Sequence, residues 1–148
     1  MSDDFFGELD KKLGDLDSKQ QARSDQKDAD TAFSEREIAS MHPVAREYAD
    51  KLGERGITAR VSGSERGLTF EMRWADNADH GLSVYPDLET GRLKIIRNST
   101  DHTDHKRFRS SDGRTYGEAD WKPSMFESAL KSVINDYLFY ADKHGGIA

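Results

Sequence analysis

From Gly67 to Ala75 the chain alternates Leu68, Phe70, Met72 and Trp74 with Thr69, Glu71 and Arg73. A period of two puts the four apolar side chains on one face of a strand. That face is too apolar to lie bare and too small to form a core, so neighbouring segments must supply further strands and a cover of helix. Upstream, Ile57, Ala59 and Val61 alternate with Thr58, Arg60 and Ser62, and the turn-forming run Ser62 to Gly67 joins the two strands as a hairpin. Downstream, Asp76 to Gly81 turns the chain, Leu82 and Val84 mark a third strand ended by Pro86, Asp87 to Gly91 turns it again, and Leu93 and Ile95 mark a fourth. Loops this short force antiparallel neighbours, because a parallel crossover needs a dozen or more residues. The pattern therefore predicts a four-stranded antiparallel meander, rising to six strands if Lys106 to Tyr116 forms another hairpin around Ser111, Asp112 and Gly113.

Helical spacing replaces the period of two on both sides of these strands. Ile38, Met41, Ala45, Tyr48 and Leu52 recur at three and four, Ser34 and Glu37 have capping-box spacing, and Gly53 and Gly56 supply a stop. Pro43 disfavours helical geometry at His42, so the main helix is expected over 43–54 with a separate or kinked lead-in. Near the far end, Phe126, Leu130, Val133, Ile134, Tyr137, Leu138 and Ala141 predict a second helix capped by Ser124 and Glu127 and closed by Gly145 and Gly146. The expected fold is α+β, a meander sheet with one helix from each end of the chain on the same face.

Residues 1–30 read differently. They hold five basic residues (Lys11, Lys12, Lys19, Arg23, Lys27) against nine acidic ones, a net of −4, and mark a polar acidic extension ahead of a single domain over 34–146. Within it Phe6, Leu9, Leu13 and Leu16 line one face of a short amphipathic helix, with Phe5 beside them. Continuing the register reaches Gln20, Arg23 and Lys27, so the apolar stripe stops short of a long coiled coil. Such a helix either docks on its own domain or offers apolar anchors to a partner or a second copy.

Composition narrows the choices. With 148 residues, 34% of them hydrophobic and 34% charged, the chain suits one core and a polar extension. A net charge of −6 argues against coating a polyanion with the whole surface. The absence of cysteine removes disulfides and thiolate chemistry, and the start Met-Ser-Asp-Asp-Phe-Phe lacks a secretory pattern, so the expectation is a cytoplasmic protein with no membrane span.

Positive charge is local. If Phe70 and its alternates face the helices, the opposite sheet face presents Arg60, Arg73, Tyr85, Arg92 and Lys94, and the basic stretch continues through Arg97, Lys106, Arg107 and Arg109 to Arg114. From 92 to 114 seven basic residues stand against Asp101, Asp104 and Asp112, a net of +4, over which the acidic first thirty residues are expected to fold back. His102 and His105, with Asp101 and Asp104, have the chemistry of metal ligands, yet a polar loop of this kind is usually solvated, and no metal or cofactor is expected. Nucleophile elbow, phosphate loop and dinucleotide turn are all missing from the sequence, so no catalytic residue is assigned and an enzyme is not expected. The leading expectation is a non-catalytic interaction module (adaptor, inhibitor, chaperone or assembly subunit) acting through Phe5, Phe6, Leu9, Leu13 and Leu16 or the exposed sheet face. The alternative is nucleic-acid binding by the basic face.

Overall fold

Fifty-two residues, Ser2–Gly53, form one uninterrupted helix, α1, in the computed structural model, which describes residues 2–148. At 1.5 Å per residue this helix is about 78 Å long. The expected break before Ser34 is absent. From Asp17 to Phe33 the chain has neither glycine nor proline, and nine of the seventeen residues are lysine, glutamine, alanine or arginine, which are good helix formers. Ser34 is accordingly no cap: its buried hydroxyl donates to the Gly91 carbonyl at 2.7 Å. Pro43 lies inside the helix and does not end it. The short amphipathic helix and the docked helix are thus two parts of one rod.

Five strands follow: β1 Ala59–Ser64, β2 Gly67–Arg73, β3 Asp79–Pro86, β4 Leu93–Thr100 and β5 Arg107–Ser110. They form one open antiparallel sheet in the order β1-β2-β3-β4-β5. The meander is as the short turns require. The count is five because the 106–116 segment pairs backwards instead of on itself: β5 joins β4, while Tyr116 makes only an isolated bridge to Leu93. Helix α2, Pro123–Phe139, then packs beside α1 on the same face, and a 3₁₀ turn, Ala141–His144, follows it. Pro123 occupies the start of α2 with Lys122 as N-cap, so Ser124 does not cap it. A proline fits there because its missing N–H would have had no intrahelical partner.

Register decides which side chains meet the helices. Phe70 pairs with Leu82, Leu82 with Arg97, Leu68 with Val84, and Val84 with Ile95. The inward row joins Ile38, Met41, Ala45 and Leu52 from α1 and Phe126, Leu130, Val133 and Tyr137 from α2 in one core. The alternation in β2 is complete, every second residue from Leu68 to Met72 being buried.

The β3–β4 turn fixes α1 in place. Gly91 has φ +76°, and a Cβ there would lie 2.2 Å from Thr31 Oγ1 and 2.7 Å from the Lys27 carbonyl. Only glycine lets the turn press against the helix backbone at this point. The variant Gly91→Ala is expected to lose about 1–3 kcal/mol through left-handed strain and overlap with α1. Denaturant melts check this: the midpoint falls while the slope with denaturant stays unchanged.

Candidate functional site

Beyond the Gly91 contact α1 leaves the sheet. Residues 4–29 are exposed throughout, an arm of about 39 Å. Phe5, Phe6, Leu9, Leu13 and Leu16 lie along it, each between 37% and 61% exposed. Only Phe5 and Phe6 add an aromatic contact to each other, edge to face at 5.3 Å. The acidic first thirty residues therefore do not fold back over 92–114, because a helix without a terminator cannot reverse its direction.

The apolar stripe has a definite orientation. Leu9 and Ala45 are about ten turns apart at 3.6 residues per turn, and Leu13 and Leu16 fall within about 20° of the Ile38 and Met41 directions. Since Ile38, Met41 and Ala45 are buried on the sheet, the stripe is the continuation of the docked face. Gln20, Arg23 and Lys27 carry the same face across the gap between them.

On the open face of the sheet the expected basic residues are only partly gathered. Arg60, Arg73, Tyr85, Lys94, Arg107 and Arg109 point away from the helices by register. Arg97 does not: it faces the helical side and binds Asp136 and Ser132 of α2. Arg92 lies just before β4, where it binds Asp120 at 2.6 Å and Thr115. Lys106 sits in the β4–β5 turn, where its backbone N–H donates to Asp104. The period of two already turns Arg97 inward with Leu93 and Ile95, and only the run of charge grouped it with the basic face; Arg92 and Arg97 find acidic partners from 120–136, far along the chain.

The cations of this face are largely engaged. Glu71 accepts from Arg60 at 2.7 Å and from Arg107 at 3.2 Å, and Asp79 lies 3.4 Å from both Arg60 and Arg73. Lys94 approaches Asp87 at 3.9 Å. Between them runs a polar ladder, in which Asn98 donates to Ser83 at 2.8 Å and Ser83 meets Thr69 at 3.1 Å. With Glu71, Arg107 and Arg109 these residues line a depression of ≈ 470 Å³. Most of its polar side chains, Arg109 apart, already bond one another, so it carries a knit surface more than a vacant recognition site.

A third cluster went unseen in the sequence. Trp74 is stacked between Tyr137 (centroids 5.3 Å apart, planes 4°) and His144 (3.8 Å, 2°). Its indole N–H donates to the Tyr137 carbonyl at 3.0 Å, and the Tyr137 hydroxyl donates to the Arg73 carbonyl at 2.6 Å. His144 Nδ1 donates to Asp76 at 2.7 Å. Burial of Asp76 opposes ionisation, but the Ala78 N–H and His144 outweigh it and hold the carboxyl below its usual range. His102 and His105 approach His144 edge-on, each at 6.3 Å. Among the described residues no three His, Asp or Glu are placed to hold an ion. His144 is buried against the Trp74 ring while Asp76 stays partly exposed, and the geometry of the pair is that of a structural clasp closing the sheet end. Composition signals each of these residues, but only folding brings 74, 137 and 144 together.

His80 is buried beside this stack, shares a hydrogen bond with Ser99 at 3.0 Å, and leaves Nε2 without a partner. Burial pushes its pKa down to about 4; Asp136 opposes the shift and Arg97 adds to it. The unfolded chain, with the ordinary value of 6.5, therefore binds the proton better. Stability is full above pH 6.5, falls as pH drops towards 4, and loses nothing more from this group below that, for a total on the order of 3 kcal/mol. Asp76, with its lowered value, adds loss in the same direction at still lower pH. Urea melts at a series of pH values check this, and His80→Asn is expected to flatten the decline above pH 4.

Comparison with protein-family models, with curated proteins and with solved structures finds no match for the chain.

Proposed function

We propose that the chain is a non-catalytic protein-interaction module whose projecting helix is a docking arm for another polypeptide. One observation carries the reading: Phe5, Phe6, Leu9, Leu13 and Leu16 stand exposed on one face of a helix that its own sheet does not reach. A polar segment that contains Gly7 and Gly14 forms a marginal helix when isolated in water, and its apolar residues gain burial only when something covers them. Here the helix is seeded by its docked half, so the arm is ordered before a partner arrives. Pre-ordering lowers the entropic cost of binding.

Magnitudes agree with docking that depends on a partner. Full burial of a Leu or Phe side chain is worth roughly 1.5–3 kcal/mol, and association costs roughly 4–15 kcal/mol. Five half-exposed anchors therefore give modest affinity by themselves, and flanking contacts decide which partner is held. Nucleic-acid binding by the sheet face has weaker support, since Glu71, Asp79 and Asp87 already neutralise most of its cations.

The test is the double variant Leu9→Asp with Leu13→Asp. Both side chains are exposed, so thermal stability is expected to stay within about 2 °C of the parent, as for surface substitutions generally. Capture of a partner chain or association of copies is expected to vanish. A clear fall in melting temperature would mean that the stripe is covered by its own domain, and would sink the reading.

A further inference from the structure

We infer that the occupant of this arm is an amphipathic helix of a different protein that carries basic residues along the flank that meets Asp10 and Asp17. The inference rests on the docking-arm reading and specifies the partner that reading leaves open. It comes from a conflict between shape and charge that faces any second copy of this chain.

Shape comes first. The stripe and the docked face share one side of α1, with Leu9 about ten turns from Ala45. A parallel copy placed against the stripe would have its own residues 34–53 where the first copy's sheet already lies. A second copy avoids this only by running antiparallel, because its own sheet then lies away from the first.

Charge opposes that same arrangement for identical chains. Taking Phe6 and Leu13 as one seam row and Leu9 and Leu16 as the other, Asp10 and Asp17 border one edge of the stripe and Lys12 and Lys19 the other. In an antiparallel pair like edges meet, so Asp10 and Asp17 face their own counterparts and the lysines face lysines. A parallel pair would match Lys12 with Asp17, but that is the orientation the sheet blocks. The surplus is acidic besides: residues 1–30 carry five basic and nine acidic groups, so two arms bring −4 against −4. A helix with an apolar seam and lysine or arginine opposite Asp10 and Asp17 meets both conditions at once. The same surplus repels anionic membranes, whose surfaces also attract apolar helix faces.

The experiment uses the full chain and two synthetic helical peptides with identical leucine seams. One peptide carries lysine, the other glutamate, along the flank of the seam that meets Asp10 and Asp17. Fluorescence anisotropy is expected to give about tenfold tighter binding of the lysine peptide at low salt, the gap narrowing as salt screens the flanks. Sedimentation equilibrium is expected to show a monomer over the same concentrations. Leu9→Asp with Leu13→Asp should remove binding although it adds negative charge, whereas a purely ionic attachment would strengthen. Equal affinities, tighter binding of the glutamate peptide, or a dimer that the double variant abolishes would overturn the inference and leave the docking arm standing. If neither peptide nor a second copy engages the stripe, the inference and the docking arm fall together.

Discussion

Burial of the inward row of β2 is the constraint on which the rest of this structure depends. Leu68, Phe70, Met72 and Trp74 are all but inaccessible to water, and their cover comes from both helices. A one-residue slip in register would exchange every inward side chain for an outward one, so this row fixes the pairing of the whole meander. The pairing in turn determines that Arg60, Arg73 and Arg107 share the open face with Glu71 and Asp79, while Arg97 is turned to the helical side. The polar surface is a consequence of the apolar one.

At its two ends the sheet is closed by different physics. Near β3–β4, Gly91 lets a turn touch the backbone of α1, and Ser34 adds a buried hydrogen bond. At the opposite end, aromatic stacking of Tyr137, Trp74 and His144 and the His144–Asp76 hydrogen bond hold the last turn against the sheet. The first closure anchors the rod from which the arm projects. The second gathers titratable groups that a sheet of this size would otherwise leave in water, and it makes the fold sensitive to acid through the buried His80 nearby.

The arm owes its order to this anchoring. A polar, glycine-containing segment such as 2–30 forms a marginal helix when isolated, but propagation from an existing helix adds one hydrogen bond per residue fixed and avoids the costly nucleus. The docked half supplies that nucleus. It also sets the direction in which Leu9 and Leu13 face, because a helix transmits its rotational phase along its whole length. Core packing therefore orients a surface some 36 Å away from the core without any side chain bridging the two.

By itself the sequence determined what local periodicity can encode. The two-residue period of 57–61 and 68–74, the helical spacing of 38–52 and 126–138, and the short turns between strands specified an α+β meander with two helices on one face, and the stripe from Phe6 to Leu16 was legible as an amphipathic face. Three matters were left to tertiary structure. Whether 17–33 is helix turned on propagation from neighbours, since its polar composition suits a helix and a solvated coil equally. Which cations are engaged turned on partners distant in sequence: Asp136 for Arg97, Asp120 for Arg92 and Glu71 for Arg107. The Trp74 clasp needed residues 74, 76, 137 and 144 brought together, and no periodicity records a meeting of that kind. Local rules act over a turn or a pair of neighbouring positions, whereas these contacts exist only after the sheet has closed beneath both helices.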